Sequence, residues 1–285
     1  MVFKSKPVWL SKKVSLQTCR KVKELLRGLS LHTVCEESLC PNISECFSKK
    51  TATFMILGDI CTRGCRYCGV RKGVPVVVDK DEPIRVKEAV KKLGLNYVVL
   101  TSPTRDDLPD GGASIFCRTI REIMSLGSGY RVEVLIPDFL GNKDSLEAVA
   151  GSGAAVIAHN METVPSLYIK VRKGASYSRS LKVLSLLKEI SPEVKTKSGL
   201  MLGLGETKQE VIDVMKDLTS VRCDFITLGQ YLPPSLNHYP LKKYIKPEEF
   251  LSFENDAVKL GFKGVKSSPY TRSSYMAKDL VNPPE

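Results

Sequence analysis

The chain has 285 residues, which is enough for one large domain such as an α/β barrel. Hydrophobic residues make up 42% of it, which excludes general disorder, and no run of about 18 apolar residues suggests a membrane span. Lys and Arg outnumber Asp and Glu by 43 to 31, an excess of positive charge that would attract an acidic partner.

Nucleic-acid binding is one alternative that the positive charge raises. The basic residues are spread along the chain, without the run of five or six that is typical of a nucleic-acid arm, and aromatic residues make up only 7%. We therefore expect no nucleic-acid partner. Residues 1–13 are basic but include no apolar stretch of the kind found in secretory signals, so a cytoplasmic location is expected.

Nine cysteines are the most informative feature of the composition. Their number is odd, the chain is not small, and no export signal is expected, so a disulfide framework is improbable. Six of the nine lie between positions 35 and 68, in two groups of three. Such clustering in a cytosolic protein indicates metal ligation.

Residues 1–50 are predicted to form an extension, with a short basic helix around residues 17–29 followed by a cysteine-bearing loop. Short apolar strands and helices with spaced apolar residues then alternate, which predicts parallel βαβ units. The predicted strands are Thr53–Leu57, Tyr97–Thr101, Arg131–Ile136, Ala154–Ala158, Thr196–Met201 and Phe225–Leu228. The predicted helices are Glu82–Leu93, Gly112–Met124, Asp144–Ala150, Ser180–Ile190 and Lys208–Leu218.

Six such units predict an α/β fold, a partial (β/α)6 TIM-like barrel with an N-terminal and a C-terminal extension. The predicted division is 1–50 for the extension that carries auxiliary cluster ligands, 51–246 for the barrel and 247–285 for the C-terminal extension. The last segment is predicted to contain one helix followed by irregular chain.

The first cysteine group, Cys35, Cys40 and Cys46, has the spacing C-x4-C-x5-C in a polar loop. Three thiolates at this spacing can hold an iron–sulfur cluster. The alternative is that these are spare thiols packed as small hydrophobic residues, which fits poorly with their polar neighbours.

The second group, Cys61, Cys65 and Cys68, has the spacing C-x3-C-x2-C and begins just after the first predicted strand. Three thiolates can hold three irons of a [4Fe–4S] cube, which leaves one iron free for a small molecule. The alternative, a structural zinc site, would need a fourth Cys or His nearby. With Tyr67 before its last cysteine, the loop resembles that of the radical SAM superfamily, in which the small molecule is S-adenosylmethionine.

The two groups together resemble the lipoyl synthase family, and the resemblance covers almost the whole chain. Pro103 and Phe47 depart from the family pattern, which usually has Val and Trp there. The motifs that carry the resemblance are C-x4-C-P-N-I-x-E-C, T-F-M-I-L-G-D-x-C-T-R-x-C, Tyr97–Ser102, Arg105–Ala113, Pro137–Phe139, His159–Val164, Gly199–Thr207, Leu228–Leu232, Asn237–Pro240 and Arg272–Tyr275.

This resemblance implies radical insertion of two sulfur atoms, at C6 and C8, into an octanoyl chain bound to a protein lysine. It implies two [4Fe–4S] clusters and S-adenosylmethionine as cofactors. The auxiliary cluster, which supplies the sulfur, would be held by Cys35, Cys40, Cys46 and a serine of the R-S-S-Y motif, Ser274. Nothing in the spacing distinguishes Ser274 from Ser273.

Contacts to S-adenosylmethionine are expected from Tyr67 and from polar residues after the second and fourth predicted strands, where a barrel binds its ligands. The latter are Thr101, Ser102, Asn160 and Glu162. Ordinary loop capping is the alternative role for these four residues.

The expected partners are octanoylated lipoyl carrier domains, which tend to be acidic, an electron donor such as ferredoxin or flavodoxin, and an iron–sulfur carrier. Two other functions stay open at this point. One is a different radical SAM sulfurtransferase that acts on a small molecule or RNA. The other is a non-catalytic ferredoxin-like electron carrier or zinc-bound module.

Overall fold

The computed structural model describes residues 6–11, 16–37, 40, 42–48 and 52–281. The described chain forms one eight-stranded sheet and a two-stranded ladder. In chain order, the strands are β1 (His32–Thr33), β2 (Thr53–Met55), β3 (Ile60–Cys61), β4 (Arg71–Lys72), β5 (Tyr97–Thr101), β6 (Arg131–Leu135), β7 (Val156–Ala158), β8 (Lys195–Leu202), β9 (Phe225–Gln230) and β10 (Gly264–Ser268).

Helices cover the connections between successive strands of the large sheet. They are α1 (Leu16–Gly28), α2 (Val34–Glu37), α3 (Ile43–Ser48), α4 (Glu82–Leu93), α5 (Ala113–Met124), α6 (Lys143–Ala150), α7 (Tyr168–Val171), α8 (Tyr177–Ile190), α9 (Lys208–Ser220), α10 (Pro247–Lys259) and α11 (Ala277–Val281). Short 3-10 turns occupy Val8–Leu10, Phe139–Gly141 and Pro165–Leu167. None of the helices in the described ranges has the length and apolarity needed to cross a membrane.

The large sheet has the order β1-β2-β5-β6-β7-β8-β9-β10. Every neighbouring pair is parallel except β1 and β2, which are antiparallel. Because parallel strands need crossover connections, a helix follows almost every strand. The prediction of a partial TIM-like barrel is confirmed, with the six predicted strands in consecutive positions of the sheet.

Two predictions about the ends of the chain are wrong. The segment after α10 is not irregular, because β10 pairs in parallel with β9 along its whole length. The sequence did not predict this strand because several of its residues are polar. In the structure their side chains are hydrogen-bonded: Lys266 donates to the Met276 carbonyl and Ser267 to the Phe250 carbonyl. Likewise, the cysteine-bearing stretch of the N-terminal extension is not all loop but includes α2 and α3.

The two faces of the sheet differ in chemistry, because successive side chains of a strand point to opposite sides. One face is apolar and packs under the helices, as Val132 and Val134 of β6 do. The other face is buried yet polar; it includes Glu133 and Lys197, which are 1% and 0% exposed, and Thr227. The inside of the barrel therefore carries buried polar side chains that can bind other groups, in addition to side chains that only pack.

Helix α9, which follows the long strand β8, begins with a capping box. The Thr207 hydroxyl accepts from the Glu210 backbone N–H at 3.2 Å, and the Glu210 carboxylate accepts from the Thr207 N–H at 2.8 Å. These bonds satisfy two backbone donors that would otherwise have no partner at the start of the helix.

We expect Thr207→Ala to lower the free energy of unfolding by about 1 kcal/mol, because the helix loses its N-cap acceptor. Urea unfolding followed by circular dichroism measures the change. Thr219→Ala, in the last turn of the same helix and away from its N-cap, is the control and should change the free energy by less than about 0.5 kcal/mol. Equal losses in the two variants would contradict the capping explanation.

Candidate iron–sulfur and cofactor site

A cavity of about 510 Å³ lies at the carboxyl ends of the parallel strands. It brings together nearly all the site residues predicted from the sequence, although they come from the extension, the barrel and the tail. Those lining it are Cys35, Cys40, Cys61, Cys65, Tyr67, Cys68, Thr101, Ser102, Asn160, Glu162 and Ser274. Cys46 does not line the cavity, but it is close enough to Cys35 to interact with it electrostatically.

The second cysteine group lies in a loop that is closed at its base. Strands β3 and β4 pair with each other, and the Gly73 N–H donates to the Cys61 carbonyl at 3.1 Å. Within the loop, the Cys68 N–H donates to the Cys65 carbonyl at 3.4 Å, and the Arg63 N–H donates to Cys61 Sγ at 3.4 Å. All three cysteines of this closed loop line the cavity.

Arg63 anchors this loop to the barrel. Its guanidinium is buried and donates to Asp106 at 2.6 and 2.8 Å and to Asp138 at 2.6 and 3.0 Å. Asp138 is fully buried and also accepts from Arg179 at 2.8 Å. Burial alone would raise the pKa of Asp138, but the two guanidinium groups hold it below its ordinary value. Sequence reasoning found Arg63, Asp106 and Asp138 only as parts of family motifs and did not predict that the arginine pairs with the two aspartates, because charged residues in loops are usually on the surface.

The thiols of each group would repel one another as thiolates. For Cys68, burial and the nearby Cys65 and Cys61 raise the pKa to about 12. For Cys35, burial and then Cys40 and Cys46 raise the pKa as well. All eight cysteines with described side chains are free rather than in disulfides. A cation that shares the charge would favour the thiolates, so the donor set fits metal binding.

The spacing of the thiols argues against a single zinc ion at either group. Among the described residues, neither group has its three sulfur atoms all within 4.8 Å of one another. At a zinc–sulfur distance of about 2.3 Å, tetrahedral ligands would lie roughly 3.8 Å apart. An iron–sulfur cube binds each thiolate to a different iron and so accepts the wider spacing.

The predicted cofactor contacts differ in how far they are free to bind a ligand. Thr101 uses its hydroxyl to donate to the Leu135 carbonyl at 2.9 Å, which fits a structural role. The Ser102 hydroxyl is buried at the cavity and has no hydrogen-bond partner among the residues that the structure describes. Ser102 is therefore the better candidate of the two for a ligand contact.

Asn160 and Glu162 form a second polar pair at the cavity, where the Asn160 amide donates to Glu162 at 3.0 Å. Burial raises the pKa of the Glu162 carboxyl, while the nearby Arg172 opposes the rise. Arg172 also lines the cavity, and its guanidinium donates to the Tyr168 hydroxyl and to Ser180. A carboxylate, an amide and a guanidinium together suit the amino and carboxylate groups of an amino-acid ligand. Nothing in the sequence marks Arg172 as part of the site.

The R-S-S-Y turn joins the N-terminal extension to the barrel. The Tyr275 hydroxyl donates to Glu45 at 2.8 Å, and the Asn42 amide donates to the Tyr270 carbonyl at 2.6 Å. The turn comes so close to β9 that a Cβ on Gly229 would lie 2.0 Å from the Thr271 carbonyl oxygen. A glycine is therefore required beneath the turn.

The structure distinguishes the two serines of this turn. The Ser273 hydroxyl donates to Asn160 at 2.9 Å, and its carbonyl accepts from Lys197 at 2.8 Å. Both serines line the cavity, but the Ser274 hydroxyl has no hydrogen-bond partner in the described part of the chain. Ser274 is therefore the better candidate of the two for a ligand contact.

Two cysteines outside the groups and one histidine have packing or hydrogen-bonding roles in the structure. Cys223 is buried and its thiol donates to the Phe225 carbonyl, and Cys117 is half-buried on α5. The Cys19 side chain lies outside the described residues. His159 is buried between the Ile136 carbonyl and Ser180, and burial lowers its pKa to about 4.

Comparison with known proteins gives a consistent result. The Radical SAM superfamily model matches residues 55–218. A lipoyl synthase from Aquifex aeolicus is 60% identical over 257 residues, which is 90% of this chain and 93% of that protein. A lipoyl synthase from Caldicellulosiruptor saccharolyticus is 54% identical over 282 residues, which is 99% of both chains.

Two solved structures resemble the fold at low sequence identity. HydG, a maturase of the [FeFe]-hydrogenase, superimposes with a TM-score of 0.61 at 16% identity, over 89% of this chain and 63% of that one. Methylornithine synthase superimposes with a TM-score of 0.57 at 14% identity, over 90% of this chain and 72% of that one. These two likenesses concern the architecture alone.

We expect anaerobically prepared protein to hold about eight irons per chain, and Cys35→Ser or Cys68→Ser each to lower this to about four, because each triad would hold its own cube. Iron and sulfide analysis measures the change. Cys223→Ser, a buried cysteine outside both groups, is the control and should keep about eight. Loss of all iron in either single variant would contradict two separate centres.

Proposed function

Because this chain belongs to the lipoyl synthase family of the radical SAM superfamily, we propose that its two cysteine groups hold two separate [4Fe–4S] clusters that share one cavity. The chain is a radical sulfurtransferase. It inserts two sulfur atoms, at C6 and C8, into an octanoyl chain bound to a protein lysine.

In this proposal Cys61, Cys65 and Cys68 hold the cluster that binds S-adenosylmethionine. When bound there, S-adenosylmethionine supplies the radical chemistry that unactivated C–H bonds require. Three observations support this assignment. The loop is closed at its base, its three cysteines interact electrostatically, and Arg63 anchors it to the barrel.

The contacts to S-adenosylmethionine are proposed to come from the polar residues around the cavity. Glu162, Asn160 and Arg172 would orient the amino and carboxylate groups, and the unpartnered Ser102 hydroxyl would add a hydrogen bond. Tyr67 lies at the same cavity, beside the cysteines. Thr101 would act indirectly, since its hydroxyl is bound to a carbonyl.

We propose that Cys35, Cys40, Cys46 and Ser274 hold the auxiliary cluster, which supplies both sulfur atoms. The free hydroxyl of Ser274 supports its role as the fourth ligand. Arg272 supports the site as well, because its half-buried side chain lines the same cavity and brings a positive charge near Cys40. A serine oxygen is a harder ligand than a thiolate, which would ease the loss of one iron as sulfur leaves.

The observation that carries this proposal is that five of the six clustered cysteines, from both groups, and Ser274 line a single cavity. A carbon radical must meet its sulfur atom before it reacts elsewhere, so the two centres have to be close and held in position. Two centres on opposite faces of the protein could not meet this requirement.

The division of the chain fits this chemistry. Residues 1–50 would supply the auxiliary cysteines, residues 51–246 the barrel with the first cluster, and residues 247–285 the serine. Both ends are attached to the barrel sheet, the first through β1 against β2 and the last through β10 against β9.

The carrier protein is proposed to present its octanoyl-lysine at the mouth of the cavity. Val70, Leu232 and Pro233 give the cavity an apolar part that suits an alkyl chain, and the exposed Lys6 and Lys72 give its rim positive charge. An acidic carrier domain would be attracted to such a rim. A cytoplasmic location, a ferredoxin or flavodoxin as electron donor and an iron–sulfur carrier for repair complete the proposal.

The direct test is an anaerobic assay with octanoylated carrier, S-adenosylmethionine and a reductant. We expect lipoylated carrier together with 5′-deoxyadenosine. Cys35→Ala should still release 5′-deoxyadenosine but form no lipoyl product, because only the sulfur donor is lost. Release of 5′-deoxyadenosine without sulfur transfer by the unmodified chain would favour a different radical SAM sulfurtransferase.

The rim charges give a second prediction. Raising the salt from about 50 mM to about 500 mM should raise the KM for the carrier several-fold, because exposed charges are screened. The KM for a short uncharged octanoyl-lysine peptide is the control and should change little. Lys72→Glu should raise the KM for the carrier in low salt and leave the KM for the peptide unchanged. A carrier KM that is independent of salt would contradict docking by charge.

A further inference from the structure

A buried ion pair crosses the inside of the barrel beneath the R-S-S-Y turn. It joins Lys197 on β8 to Glu133 on β6, and their side chains are 0% and 1% exposed. The Tyr97 hydroxyl donates to the second oxygen of Glu133 at 2.7 Å, and Lys197 donates to the Ser273 carbonyl at 2.8 Å. The pair thus connects strands β5, β6 and β8 to the turn, across the intervening strand β7.

The stability of the fold does not by itself explain a buried ion pair at this position. Removing two charges from water is costly, and apolar residues of similar volume would serve the core as well or better. What apolar residues could not provide is a charge-assisted hydrogen bond to the backbone of the turn. The contact between Lys197 and the Ser273 carbonyl is therefore the feature that the buried charges make possible.

Ser273 is held from three sides. Its carbonyl is bound by Lys197 and its hydroxyl by Asn160. On its third side the Ser273 hydroxyl packs closely on Gly199, where a Cβ would lie 2.8 Å from this hydroxyl and 3.0 Å from the Asn160 oxygen. A residue held at both its backbone and its side chain fixes the direction of the next residue, Ser274.

We propose that Lys197 is a positioning residue that, by holding the Ser273 carbonyl, directs the Ser274 hydroxyl at the auxiliary cluster. This inference rests on the proposed function, in which Ser274 is a ligand. A serine oxygen is an unusual ligand for such a cluster, and an unusual ligand is effective only when its position is fixed in advance. Lys197 thereby controls how firmly the fourth iron is kept.

The test isolates the auxiliary cluster by replacing Cys61, Cys65 and Cys68 with alanine in the full-length chain. This parent should hold about four irons, and Ser274→Ala in it should leave about three, with the electron paramagnetic resonance signal of a [3Fe–4S] centre. Absence of any cluster in the parent, or no effect of Ser274→Ala, would mean that the proposed function itself fails.

The double variant Lys197→Met with Glu133→Gln is then made in the same parent, so that no unpaired charge is left buried. We expect the iron content to fall to about three with the same [3Fe–4S] signal, because Ser274 is no longer held in place. Adding Ser274→Cys should restore about four irons, since a thiolate binds without such positioning. A double variant that keeps four irons would overturn the inference.

Lys188→Met is the matched control. Lys188 is another buried lysine; it pairs with Asp224 and donates to the Val194 carbonyl, just before the start of β8 and away from the turn. Asp224 keeps Lys263 as a second partner in this variant. The iron content should stay at about four, and a fall to three here would show that any buried lysine has the same effect.

A second measurement needs no cluster. Trypsin should cleave after Arg272 faster in the double variant than in the parent or in Lys188→Met, because the R-S-S-Y turn is held less firmly. Mass spectrometry of the fragments identifies the cleavage site. If the double variant does not fold, Tyr97→Phe replaces it, since this change only weakens the hold of Glu133 on Lys197. Unchanged cleavage and iron content in Tyr97→Phe would then overturn the inference.

Discussion

The free-energy cost of ionising buried thiols is the constraint on which the rest of this structure depends. Each cysteine group gathers three thiols out of water, where burial and their neighbours raise the pKa values of Cys35, Cys65 and Cys68. Such a group can ionise only when a cation shares the charge. The chain therefore has to hold the thiols in place beforehand, and the buried Arg63 with its two aspartates does this for the second group.

The position of the cavity follows from the parallel sheet. Parallel strands bring their carboxyl ends to one edge, so residues that are far apart in sequence meet there. The antiparallel β1 brings the extension to this edge, and β10 returns the tail to it. The same edge of the sheet thus receives cysteines from the N-terminal extension and from the barrel, and a serine from the C-terminal tail.

The sequence predicted those strands and helices that the spacing of neighbouring apolar residues determines. The bounds of β5 and α4 agree with the structure, because alternating or helically spaced apolar residues determine them. It missed β10, whose lysine and serines resemble a surface loop. The cysteine groups could be recognised from spacing, whereas Ser274 came only from a family resemblance. Arg172 and Lys197 could not be found, since only the fold shows that these two charges are buried.

The central claim is that both centres serve one reaction within one cavity of one chain. It is tested most directly by mixing two preparations and analysing the product by mass spectrometry. One is the unmodified chain with natural sulfide; the other is Cys68→Ala, which cannot start the radical reaction, loaded with sulfur-34. A shared cavity predicts that the lipoyl product contains only natural sulfur. Sulfur-34 in the product would show that the sulfur comes from another chain and would contradict the account.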